Sequence, residues 1–260
     1  MNIVTICGGL GNQLFQYAFA KRIECSGSLV GLDVSWYNRK DKKHPRPFRL
    51  LNFETVVRIT PRQSRCSLVI TENPDKLQDV CIMQETTYHG YWQSPLYHKA
   101  IYTILQNEFW VRPEFYTKEY KELRAEIESC NSVALHVRRG DFLEHPLCYV
   151  VPIDYYKKAL SIVKNLKSNP HIFVFSDDLL WCEQAFVGED CTFVHMADYL
   201  EFDLMRLCKT KIIGNSTFAW WPAYLDDTGL VLCSDKWWTE STRDAITKKN
   251  GMLLESWIKL

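Results

Sequence analysis

The second half of this chain is punctuated too regularly to fold as anything but a parallel α/β sheet. Short apolar runs rich in β-branched and aromatic residues lie at 132–137, 171–175, 192–195, 211–214 and 230–233, and helical patterns fill the gaps between them. Strands spaced by helices require crossover connections, and those produce parallel pairing. The first half repeats the theme once: residues 3–7 read as a strand, 8–13 as a glycine loop, 14–23 as a helix with Leu14, Phe15, Ala18, Phe19 and Ile23 near one stripe, and 29–33 as a second strand. Residues 36–50 are polar, basic and proline-broken and read as a mobile loop. Residues 100–109 and 118–129 read as helices, and 90–97 as a turn. The change in regularity puts a domain boundary near residue 130, dividing the chain into 1–130 and 131–260.

Charge narrows the function. Lys+Arg and Asp+Glu both number 31, so the formal net charge is zero. Nucleic acid and anionic membrane are not expected as partners of the whole surface, and an anionic ligand must be held by a local cluster. The ten cysteines are scattered, and the closest two, Cys182 and Cys191, have eight residues between them. No zinc-ligand spacing occurs, and reduced thiols in a cytoplasmic protein are the expectation. The N-terminus lacks the pattern of a secretory signal, and no apolar run is long enough to span a bilayer. A membrane-bound substrate would therefore be reached peripherally, from the cytosolic face.

In open parallel sheets, ligands bind beyond the carboxyl ends of strands. Four such ends carry unusual polar residues. Gly8-Gly9-Leu10-Gly11-Asn12-Gln13 can bring backbone N–H groups close to an anion at the positive end of the next helix, or can simply be a tight turn. His136-Val137-Arg138-Arg139-Gly140-Asp141 places two guanidiniums directly after a buried strand, where an anion such as a diphosphate would satisfy them. One of the two is expected to be carboxylate-paired, and not both. Ser176-Asp177-Asp178 offers carboxylates that suit the paired N–H donors of guanine, a metal ion, or the cap of the following helix. Asn215-Ser216-Thr217 opens a helix whose hydroxyls and N–H groups can hold phosphate. Asn215 also begins a glycosylation sequon, set aside because the chain reads as cytoplasmic. The nine tryptophans, Trp92, Trp220, Trp221, Trp237 and Trp238 among them, can supply faces for sugar stacking, though most are expected in the core.

Taken together with Gly90-Tyr91-Trp92-Gln93-Ser94, Ile153 to Ala159 and Phe218 to Trp221, these motifs resemble glycosyltransferase family eleven, the α-1,2-fucosyltransferases, over nearly the whole chain and in the same order. The resemblance implies a GT-B-like fold of two Rossmann-type parallel-sheet domains with a cleft between them, an acceptor-side domain first and a donor-binding domain second. It implies transfer of L-fucose from GDP-fucose, with inversion and without a metal or other cofactor, to the 2-hydroxyl of a galactose-terminated oligosaccharide. Arg138 would hold the β-phosphate and Asn12 would face the reacting sugar. Gly9, Gly11, His136, Arg139, Asp178, Ser216, Thr217 and Phe218 would complete the donor site. Glu85, Asp33 and Glu144 are unranked candidates for a general base. The alternatives are a transferase for another nucleotide sugar, a non-catalytic nucleotide- or glycan-binding protein, and a nucleic-acid binder using Arg138, Arg139 and the 39–49 loop.

Overall fold

The computed structural model describes residues 1–38, 45–60, 66–73, 82–226 and 228–260. The chain forms two compact units, each with its own parallel sheet: Met1–Arg112 with Ile246–Met252, and Pro113–Ala245 with Leu253–Leu260.

In the first unit, β1 (Asn2–Thr5) leads through α1 (Leu10–Cys25) to β2 (Val30–Asp33), and β3 (Leu68–Thr71) and β4 (Thr86–His89) complete a sheet of order β2-β1-β4-β3. The short helix α2 (Tyr102–Glu108) follows. The helix α1 starts four residues earlier than the apolar stripe indicates, because Gly9 takes the extended N-cap position and Gly8 the left-handed turn before it, at φ +82°. Gly11 and Asn12 therefore lie in the first helical turn, not in a loop. Phe19 stacks on Trp92 at 4.0 Å and meets Tyr88 and Tyr97 edge-on, forming an aromatic core behind the sheet. Of the basic segment at 36–50, Ser35–Asn38 makes a single 3-10 turn, while 39–44 lie outside the described residues.

The second unit opens with α3 (Lys118–Ser129) and continues through β5 (Asn131–Val137), α4 (Ile153–Leu166), β6 (Pro170–Ser176), α5 (Leu179–Ala185), β7 (Cys191–Val194), α6 (Asp198–Leu207), β8 (Thr210–Ile213), α7 (Thr217–Tyr224), β9 (Leu230–Cys233), α8 (Ser241–Lys249) and β10 (Ile258–Lys259). All pairings are parallel, in the order β10-β9-β8-β5-β6-β7. The unit divides from the first at Arg112/Pro113 rather than near 130, because α3 packs on α6: Ile127 is buried, and the Tyr120 hydroxyl donates to the fully buried Asp203 carboxylate. Tyr156, Ala159, Leu160 and Val163 of α4 recur at helical spacing and cover Val133, Leu135 and Val137 of β5 together with Ile172 and Val174 of β6. Each such aliphatic burial contributes about 1.5–3 kcal/mol.

Trp92, Trp220, Trp221 and Trp237 are core residues, as expected, whereas Trp238 is half-buried beneath the Arg243 guanidinium. Among the described residues no helix is long and apolar enough to cross a membrane.

Candidate functional site

The order of the second sheet fixes where a ligand can sit. Chain progression reverses between β5 and β8, since β6 and β7 lie to one side and β9 and β10 to the other. A crevice opens at such a switch point, beyond the carboxyl ends of the two strands. The residues leaving β5 and β8 are His136 to Arg139 and Gly214 to Phe218. The His136 and Phe218 rings lie 5.6 Å apart, so the two motifs meet, and Phe202 backs Phe218 at 6.2 Å.

Both arginines have carboxylate partners, so the expectation that only one would be paired is corrected. Arg138 is bound by Asp141 and, through Nη1 at 2.9 Å, by Asp177. Arg139 Nε bonds Asp178 Oδ2 at 3.0 Å, and its guanidinium lies 4.0 Å above the Trp181 ring. The reason is topological. The neighbouring strand β6 ends in register with β5, so its carboxylates emerge beside the guanidiniums and neutralise charge that the half-buried site could not otherwise hold. Asp178 does two structural jobs: Oδ2 meets Arg139, and Oδ1 accepts Trp181 N at 3.3 Å as the cap of α5. Asp177 and Trp181 belong to the arrangement but were not singled out individually from the sequence, because their partners lie some 40 positions away.

At the end of β8, Ser216 occupies the N-cap of α7, yet its hydroxyl makes no capping bond. Thr217 begins the helix. The Asn215 side chain is 3% exposed and donates to the Tyr149 and Trp237 carbonyls, both at 2.7 Å. Those bonds rule it out as a glycan acceptor on physical grounds. Asn215 Oδ1 and His136 Nδ1 are both buried without a hydrogen-bond partner among the described residues. Buried polar atoms are rarely left so, and these two lie at the same switch point. Burial first, and the Arg138 charge second, push the His136 pKa down to about 3, so the imidazole is neutral near pH 7.

The first unit gathers a different set at its own switch point, between β1 and β4. Gln13 and Gln16, both fully buried on α1, pin the glycine turn. Gln13 donates to the Gly8 and Pro47 carbonyls at 3.2 and 2.8 Å and accepts Arg49 N at 2.8 Å. Gln16 accepts Cys7 N and donates to the Gly90 carbonyl, each at 2.9 Å. The Tyr37 hydroxyl donates to Gly8 O at 3.0 Å, and the Arg46 side chain passes beside Gly9. Asn12 Oδ1 accepts Gln93 Nε2 at 2.8 Å, which fixes the orientation of the Asn12 amide. Gly9, Gly11 and Asn12 thus form one cluster, and His136, Arg138, Arg139, Asp178, Ser216, Thr217 and Phe218 another, each within its own unit.

Of the suggested general bases, Glu85 precedes β4 and so lies at the edge opposite the glycine turn, where it is exposed. Asp33 closes the turn after β2 by accepting Ser35 N at 2.9 Å. Glu144 ends the turn following Asp141 and is exposed. Among the described residues, no group of three or more His, Cys, Asp or Glu side chains gathers as a metal site.

Residues 69–260 match the family model described as glycosyl transferase family 11. An α-1,2-colitosyltransferase of Escherichia coli is 31% identical over 90% of this chain and 91% of its own. The O-antigen biosynthesis glycosyltransferase WbnK of the same organism is 26% identical over 98% and 99%. Among solved structures, the fucosyltransferase NodZ from Bradyrhizobium superposes with a TM-score of 0.59 at 15% identity, over 88% of this chain and 93% of that one. NodZ α-1,6-fucosyltransferase soaked with GDP-fucose gives 0.56 at 14%, over 86% and 92%. At these identities the likeness is one of fold: two parallel-sheet α/β units of GT-B type.

Proposed function

The chain belongs to glycosyl transferase family 11 and is a glycosyltransferase, and from that premise we propose that it moves L-fucose from GDP-fucose to the 2-hydroxyl of a galactose-terminated glycan, with inversion and without a metal. One observation carries the reading. A Rossmann-ordered sheet presents Arg138 at its switch point, held by two carboxylates and set beside two buried polar atoms that lack partners.

In this mechanism the acceptor hydroxyl attacks fucose C1 as the C1–O bond to the diphosphate breaks, and negative charge develops on the departing GDP. Arg138 exchanges Asp141 and Asp177 for phosphate oxygens, a favourable trade because a diphosphate brings more charge and fits the guanidinium fork. Arg139, fixed over Trp181, supports it. The two guanidiniums supply the positive charge that a divalent cation would otherwise bring, which favours metal independence. The N-terminus of α7, with Ser216 and Thr217, adds N–H and hydroxyl donors to the diphosphate. His136, kept neutral, and Phe218 flank the nucleoside. Asp178 retains lone pairs beyond those taken by Arg139 and Trp181 N, so it is still able to accept from guanine. Asn12 and the cluster around it belong to the sugar and acceptor side. The acceptor is reached without a membrane span, at the cytosolic face when it is lipid-borne.

A second reading keeps the mechanism and changes the sugar: the 31% identical relative is named for colitose transfer. A donor panel separates the two. Titration calorimetry with GDP, UDP and ADP is expected to show GDP preference, and galactosides incubated with GDP-fucose are expected to yield α-1,2-fucosylated product. Preference for UDP overturns the nucleotide, and turnover only with GDP-activated colitose overturns the sugar.

A further inference from the structure

We infer that Glu72 is the group that takes the proton from the attacking acceptor hydroxyl, an inference that rests on the fucosyl-transfer reading above. Glu72 directly follows β3, on the same carboxyl edge as the glycine turn, with its N–H bonded to His89 O at 2.7 Å. Its carboxylate reaches across the end of β4. Oε2 accepts Tyr91 N at 2.6 Å and Trp92 N at 2.8 Å, and Oε1 makes no hydrogen bond among the described residues. The approach is close enough to require glycine at 90, where an added Cβ would lie 2.6 Å from Oε2.

The segment Glu72 clamps is the one that orients Asn12. Gln93, next after Trp92, donates to Asn12 Oδ1. The carboxylate and the amide therefore hang on one short stretch of backbone, Gly90 to Gln93, whose Trp92 is held at φ +56° with its indole fully buried. Tyr91 between them keeps nearly half of its surface exposed, an apolar face on which a sugar ring can rest.

A base needs proton affinity as well as position. Burial raises that of Glu72 above the ordinary carboxylate value, and the two amide bonds moderate the rise. The ionisable groups around this edge among the described residues include Tyr91, Cys7, Tyr37 and His89, with Arg46 beside Gly9 and Asp33 at the end of β2. Burial raises both phenols, so they stay neutral, and His89 Nδ1 is engaged with Thr5 Oγ1 at 2.7 Å. The step balances: the hydroxyl proton passes to Oε1, the acceptor oxygen bonds C1, the C1–O bond to phosphate breaks with its electron pair leaving on GDP, and Glu72 then returns the proton to water.

The test is Glu72→Gln, which keeps an amide oxygen for Tyr91 N and Trp92 N but cannot take a proton. With wild-type fucosyl transfer in hand, E72Q is expected to lower kcat about 100-fold or more, to leave GDP affinity by calorimetry unchanged, and to abolish the acidic limb of the pH–kcat profile. Transfer by E72Q within about threefold of wild type with the limb intact overturns the inference, as does an acidic limb removed by Asp33→Asn and not by E72Q. Activity retained in E72Q and lost in Glu72→Ala also overturns it, because the residue would then act only as a clamp. A wild type that binds GDP yet transfers no fucose defeats the functional reading instead, and that failure is seen before any variant is made.

Discussion

The two sheet edges solve one problem with opposite chemistry. Each unit brings a strand–turn–helix to a switch point, but the second stabilises its turn with charge and the first with neutral amides. At the end of β5, Arg138 and Arg139 are balanced by Asp141, Asp177 and Asp178. At the end of β1, Gln13 and Gln16 supply donors and acceptors to backbone groups of Gly8, Pro47, Arg49, Cys7 and Gly90, and Gln16 also donates to Cys7 Sγ. Carboxylates that hold a guanidinium can be replaced by an incoming anion, so the charged edge is exchangeable by construction. Fully buried amides bonded to backbone meet no such charged competitor, so the neutral edge is fixed. On the proposed function, exchange with the diphosphate of the donor belongs to the charged edge, and rigid support of Asn12 to the neutral one.

This contrast can be broken by substitution. Arg138→Ala is expected to have the largest effect, a loss of about 3–4 kcal/mol in transition-state stabilisation, by analogy with removal of one oxyanion donor. Fucosyl transfer and GDP titration of a variant that keeps its melting temperature would check it, and near-normal turnover would remove the charged edge from the mechanism. Gln16→Leu, on the neutral edge, should instead appear in stability. It orphans Cys7 N–H and the Gly90 carbonyl, at about 1–3 kcal/mol for each group, read from urea midpoints. An unchanged midpoint would mean that the neutral edge is not the rigid one. Gly8→Ala forces a Cβ into a left-handed residue at φ +82° and to 2.8 Å from Asn12 Nδ2. About 1–2 kcal/mol of stability should be lost, with a fall in turnover as Asn12 is displaced.

A further effect concerns pH. Burial pushes His136 and His98 down to about 3. Between roughly pH 6.5 and 3 the unfolded chain binds protons that the folded chain refuses, so stability is full above that window and falls as pH drops through it, by about 1.4 kcal/mol per pH unit for each histidine. Glu201, raised to about 7 by burial, acts with the opposite sign: its contribution is present at low pH and is lost as pH rises from the ordinary carboxylate value toward 7. His136→Phe, which keeps the ring packing against Phe218, should flatten the acid loss seen by denaturant titration at pH 6 and pH 4.5. An unchanged slope would place the titrating group in the other unit, at His98.

The difference between the edges also explains what the sequence made legible. Strand ends β5, β6 and β8 follow unbroken apolar runs, so their positions emerged within a residue or two, and the motif His136 to Asp141 stood out because charge after a buried strand is unusual. The carboxylate partners of the arginines were not assigned, since pairing across β5 and β6 depends on register. The first unit was harder. Its strands are four residues long, β3 and β4 lack alternation strong enough to identify them, and Glu72 draws its significance from amides 19 and 20 positions away. Gln13 and Gln16 look like ordinary helix surface until burial is known. The start of α6 at Asp198 carries no capping signal in the sequence, because it follows Ala197 rather than a capping side chain.

One thread of backbone carries a further consequence. Residues Ile246–Met252 belong to the first unit although they come near the end of the chain, and the Ser94 hydroxyl finds its acceptor, Asn250 O, 156 positions downstream at 2.6 Å. A ribosome working at roughly 5–20 residues per second takes on the order of 8–30 s to cover that interval. The unit begun first therefore has to wait until most of the second has been synthesised, and a fragment ending at Arg112 would be a protein still waiting for its final piece.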